Sequence, residues 1–207
     1  MKPTHLVTLL IAAIFATSSL VAETAAKRIL FLGDSLTAGY GIDPQLAYPS
    51  LIQKKLQAGD YNFDVTPAGL SGETSAGGLR RASWVLQKPV DILVIALGAN
   101  DGLRGIDLSD TKKNLQGIID LARKKYPEIQ IVIAGMQMPP NLGEAYTTQF
   151  RSMYPELAQE NEATLIPFLL EDVGGQPELN IADGIHPNPA GHEIIAETVW
   201  SALKPLL

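Results

Sequence analysis

The 207-residue chain contains no cysteine. No disulfide can brace it, so its stability has to come from core packing. No cysteine follows the apolar N-terminal run either, which rules out lipid attachment there. Positive charge is in short supply. The 16 Lys and Arg are outnumbered by 22 Asp and Glu, for a formal net charge of −6. That balance argues against nucleic acid as a partner, since little is available to displace phosphate counterions. Histidine is scarce, at three residues, His5, His186 and His192. His186 and His192 lack the spacing of an H-E-x-x-H zinc helix, and no metal is expected. The sequence shows no repeat, no low-complexity tract and no linker that would divide it. It also lacks an apolar run of the roughly 20 residues that span a bilayer comfortably.

The main apolar run stands at the N-terminus. Lys2 supplies a small positive charge, Leu6 to Ala16 is apolar apart from Thr8, and small residues follow to Ala26. This is the pattern of a secretory signal peptide over residues 1–26, with cleavage after Ser18, Ala22 or Ala26. The expected protein is exported, periplasmic or secreted, with one domain over 27–207. Cleavage removes His5 and leaves His186 and His192 for any imidazole chemistry.

Beyond the signal, apolar runs alternate with helical stripes. Ile29 to Leu32, ended by Gly33, reads as a buried strand. Ala47 to Gln57 carries a stripe of Tyr48, Leu51, Ile52 and Leu56. Tyr61 to Thr66 alternates like a strand near a sheet edge, with Pro67 to Glu73 as a loop. Thr74 or Ser75 caps a helix to Leu86. Asp91 to Leu97 is apolar on both faces, a central strand. A helix over Asp110 to Lys125, a strand over Ile129 to Ala134, a helix over Thr147 to Glu160 and a strand over Ala163 to Phe168 follow. Asn188 caps a last helix that opens with Pro189. The alternation implies an α/β fold, a five-stranded parallel sheet with helices on both faces.

Polar clusters fall where strands end. Asp34-Ser35 follows the first strand, Ser71-Gly72-Glu73 the second and Asn100-Asp101 the third, while Asp183-x-x-His186 precedes the last helix. Acyl transfer needs a nucleophile, a base, an orienting acid and oxyanion donors. Ser35 is the candidate nucleophile and His186 its base. Asp183, three residues back in a helix-like turn, would hold the imidazole Nδ1. The oxyanion donors are the N–H groups of Ser35 and Gly72 and the amide of Asn100. Asp34 is read as a turn or cap residue, and His192 as surface or support. Apolar loops beside Ser35 offer an acyl groove, with Gly105, Ile106, Leu108, Met138, Pro139 and Leu142 as substrate-binding candidates.

Gly33-Asp34-Ser35-Leu36, Gly72, Gly98-x-Asn100-Asp101 and Asp183-x-x-His186 resemble the four motif blocks of the SGNH (GDSL) hydrolases, in order and intact. The longer stretches Gly33 to Tyr40, Asn100 to Gly105 and Asp183 to Asn188 are similar to the exported bacterial acyl-CoA thioesterase, lysophospholipase and arylesterase subgroup. The resemblance implies a three-layer, flavodoxin-like α/β/α sandwich that hydrolyses esters and thioesters without metal or cofactor, using the residues above in those roles. It also implies a mobile lid after the third block. The expected partners are small acyl ester or thioester substrates, with membrane lipids only as substrates and the protein a monomer. The alternatives are a carbohydrate acetylesterase of the same family, against which the apolar loops argue, and a catalytically silent binding module, whose mark would be a broken block. An α/β-hydrolase elbow, G-x-S-x-G, fails at Thr37.

Overall fold

The computed structural model describes residues 25–207. The expected signal segment lies outside the described residues through residue 24. Five strands, β1 (Lys27–Gly33), β2 (Phe63–Gly69), β3 (Ile92–Ala96), β4 (Gln130–Ala134) and β5 (Thr164–Ile166), form one parallel sheet in the order β2-β1-β3-β4-β5. The innermost strands are the most apolar because helices cover both of their faces. Every residue of β3 is buried, as is β1 from Ile29 onward. The helices are α1 (Ser35–Ala38), α2 (Tyr48–Ala58), α3 (Ser75–Val85), α4 (Ala99–Leu103), α5 (Leu108–Lys125), α6 (Glu144–Glu160) and α7 (Pro189–Leu203). One layer packs α2 with α7, and the other packs α3 with α5 and α5 with α6. Right-handed crossovers onto opposite faces produce that division.

The strand order fixes where a ligand belongs. From β1 the chain steps outward to β2, then returns over β1 to β3 and continues the other way. The carboxyl ends of β1 and β3 therefore flank the topological switch point, the crevice where open α/β sheets bind ligands. Ser35 leaves β1 there, and Asn100 leaves β3.

Several boundaries depart from expectation. β2 runs through Pro67 to Gly69 rather than ending at Thr66, because an edge strand tolerates a residue without an N–H. Ser35 to Ala38 forms a helical turn directly after β1. α5 begins at Leu108, where Asp107 caps it by accepting from the Ser109 N–H at 2.8 Å. α6 begins at Glu144, and β5 is only three residues long.

Candidate active site

Ser35 is aimed by the turn from strand to helix. Gly33 is required by space, since a Cβ there would stand 1.9 Å from the Thr37 hydroxyl. Asp34 caps α1 as expected, accepting from the Leu36 N–H at 3.0 Å. The Ser35 hydroxyl lies 2.9 Å from Nε2 of His186, and Nδ1 of His186 lies 2.6 Å from Asp183. The loop carrying the last two residues is closed by a bridge between Asn180 and Pro187. The expected helix-like turn at Asp183 is instead an Asx turn. Its Oδ1 accepts from the N–H groups of Ile185 at 2.9 Å and His186 at 3.0 Å, which leaves Oδ2 for the imidazole. The backbone N–H groups of His186 and Ile185, and then the imidazole, hold the Asp183 carboxyl down to about 2. It is therefore ionised across the range in which an imidazole works as a base.

The expected oxyanion donors stand at the starts of α1 and α4 and in the turn between β2 and α3. Among the described residues, neither the Ser35 nor the Gly72 N–H has a hydrogen-bond partner. Gly72 adopts φ 78°, a left-handed conformation that glycine takes without a Cβ penalty. Asn100 donates from its side-chain amide to Asp34 at 3.4 Å, which brings it beside Ser35.

Several residues take supporting roles that the sequence pattern does not assign. Asp101 is wholly buried and accepts from the Ser75 N–H at 2.8 Å and the Ser75 hydroxyl at 2.5 Å, tying α4 to α3. Arg81 grips Glu73 through two nitrogens and donates to the carbonyls of Ala68 at 2.6 Å and Gly33 at 3.3 Å, so it spans the ends of β1 and β2. Arg104 donates to the Gly72 carbonyl at 2.9 Å. Asp101 and Glu73 stand inside the polar clusters at the strand ends, but their partners, Ser75 and Arg81, are set by the fold and carry no local signal. His192 is a support rather than a surface group. It is buried, and its Nδ1 accepts from the Tyr48 N–H at 3.2 Å, capping a helix whose own N-cap, Ala47, has no polar side chain.

Two buried groups near the site pull stability in opposite directions with pH. Burial, opposed by the Leu36 N–H, pushes Asp34 up from 3.8 to about 6. Burial also pushes His192 down from 6.5 to about 4. The folded state holds the extra proton at Asp34, so that group adds stability as pH falls from about 6 toward 3.8. The unfolded state holds the extra proton at His192, so that group removes stability as pH falls from 6.5 through about 4. Each is worth about 3 kcal/mol by linkage, and in the wild type they largely cancel. Asp34→Asn keeps a capping oxygen but removes the titration. Relative to wild type, it is expected to lose about 3 kcal/mol more stability on acidification across this window. Urea unfolding of both proteins at the two ends of the window tests this, and parallel pH profiles would refute it.

The expected substrate-side residues divide into two sets. Gly105, Pro139 and Leu142 are exposed and Ile106 is half-buried, all on loops leaving the carboxyl edge of the sheet. Leu108 and Met138 are buried against the core. Leu108 is the first residue of α5 and turns inward. Met138 packs its sulfur on Gly102, where an added Cβ would meet it at 2.4 Å.

A doubly wound parallel sheet with serine, imidazole and carboxylate in line at its switch point is the architecture of a serine hydrolase. The chain belongs to the GDSL-like lipase/acylhydrolase family, whose model matches residues 31–194. It is 37% identical over 183 residues to an arylesterase of Vibrio mimicus, covering 88% of this chain and 90% of that one. It is 36% identical over 184 residues to thioesterase 1/protease 1/lysophospholipase L1 of Escherichia coli (strain K12), covering 88% and 86%. The crystal structure of TesA superposes with a TM-score of 0.84 at 39% identity, over 87% of this chain and all of that one.

Proposed function

We propose that the protein cleaves carboxylic esters and thioesters through an acyl-enzyme. Ser35 attacks the carbonyl carbon while Nε2 of His186 takes its proton, and Asp183 stabilises the imidazolium that forms. The N–H groups of Ser35 and Gly72 and the Asn100 amide receive the oxyanion. His186 then gives the proton to the departing alcohol or thiol. The same imidazole activates the water that releases the acid and regenerates Ser35. The observation that carries this reading is the unbroken relay from Ser35 through His186 to Asp183, at 2.9 and 2.6 Å. These side chains handle every proton and charge in the cycle, so the proposed route draws on no metal or cofactor.

The names of the relatives support aryl esters, thioesters and lysophospholipids as substrates. The N-terminal pattern supports export, and all groups of the site come from one chain, which suits a monomer. Among the described residues no helix is long and apolar enough to cross a membrane. The test is turnover of acyl-CoA and of p-nitrophenyl esters of graded chain length by the mature protein, beside Ser35→Ala.

The loop after α4 is the proposed cover for the acyl chain, with Ile106 as its apolar contact. Ile106→Ala is expected to lower kcat/KM for p-nitrophenyl decanoate about fourfold more than for the acetate, since each methylene removed from water is worth about 0.8 kcal/mol. Leu108→Ala, acting on the core instead, should cost about 2–3 kcal/mol of stability without changing the chain-length profile. Equal losses on the two esters for Ile106→Ala would remove it from the acyl groove.

A further inference from the structure

Tyr40 is one of the exposed large hydrophobic residues, at 51% relative exposure. The other face of its ring is occupied. The ring centroid lies 4.6 Å from that of His186, with the planes tilted by 44°. The position is anchored, because the Tyr40 N–H donates to the carbonyl of Ser35 at 3.0 Å, closing the turn that carries the nucleophile. Gly39, in the left-handed conformation at φ 70°, redirects the chain there so that the next side chain turns back over the site.

The place of this ring matters for the chemistry. Nε2 of His186 faces Ser35 and must hand its proton to the departing atom, so the leaving group departs within hydrogen-bond reach of the imidazole. A half-exposed ring packed on that imidazole borders the same space. Aromatic rings prefer offset or tilted contacts with one another, and its open side presents a flat apolar surface with a polar tip. Resting on the acyl-enzyme reading, we propose that Tyr40 is a specificity-determining residue, the surface on which an aromatic or other planar leaving group stacks as it departs. Small alkyl leaving groups gain little from it.

The experiment compares phenyl acetate with trifluoroethyl acetate, in the wild type, Tyr40→Ala and Tyr40→Phe. The two esters carry the same acyl group, and kcat/KM covers the steps from free enzyme through loss of the leaving group, so their ratio isolates the effect of the leaving group. Tyr40→Ala is expected to lower the phenyl-to-trifluoroethyl ratio of kcat/KM about fivefold, the scale of one aromatic contact, and Tyr40→Phe to retain the wild-type ratio. Equal losses on both esters, with the acid limb of the pH–rate profile displaced, would mean that the ring only holds His186, and would overturn the proposal. An unchanged ratio in Tyr40→Ala overturns it as well. If the wild type cleaves neither ester, or Ser35→Ala cleaves both, the acyl-enzyme reading falls and takes this proposal with it. If the wild type cleaves both, Ser35→Ala neither, and the ratio stays fixed, Tyr40 alone is wrong.

Discussion

Ser35→Ala is expected to lower kcat on p-nitrophenyl acetate by about 10⁴- to 10⁶-fold, the scale on which serine hydrolases depend on their nucleophile. The substitution is informative because Ser35 does little else. Among the described residues its hydroxyl bonds only His186, and the cap of α1 is Asp34. The relay from His186 to Asp183 and the oxyanion donors remain in place, so the loss falls on the chemical step and leaves the fold intact. The melting temperature should therefore stay near that of wild type while turnover disappears. Hydrolysis by the variant at the wild-type rate would show that the acyl-enzyme is not formed at Ser35.

Asp101→Ala is expected to destabilise the protein by about 3–4 kcal/mol, measured by urea or thermal unfolding. Its carboxylate receives the N–H and the hydroxyl of Ser75, and the Thr111 hydroxyl reaches it at 3.4 Å. Hydrogen bonds to a charged acceptor are worth about 1.5–3 kcal/mol each, and the variant leaves buried donors without partners. Relief of a buried carboxylate offsets part of that loss, so the net effect is smaller than the sum. Activity should fall with stability. Asp101 adjoins Asn100 and anchors Ser75, three residues beyond Gly72, so it keeps two of the oxyanion loops in register. Asp101→Asn retains one acceptor and should cost roughly half as much. A neutral Asp101→Ala would show that α3 and α4 are held together by packing alone.

The central strands were legible because burial on both faces demands unbroken apolar runs, as in Ile92 to Ala96. The site was legible for a related reason. A polar cluster directly after such a run has to lie at the sheet edge, and Ser35 and Asn100 both do. What escaped depends on partners far along the chain. His192 caps a helix that begins at Tyr48, 144 residues earlier, and no local pattern announces that. The sequence gives Leu108 and Met138 as apolar residues beside the site, and only tertiary packing shows that both side chains are buried. Pro67 marks a strand end by its local propensity, and only its pairing with Phe31 on the open side of β1 shows that the edge strand runs on through it.

The order of the chain has a consequence for when the protein acquires its chemistry. Ser35 and His186 lie 151 residues apart, and the imidazole is positioned by a loop that runs directly into α7, which docks on α2. A growing or truncated chain that lacks its final segment carries a serine with no base, whatever else has folded. Esterase activity therefore requires both ends of the chain in place, and its recovery after denaturation reports their joint assembly rather than the formation of the sheet alone.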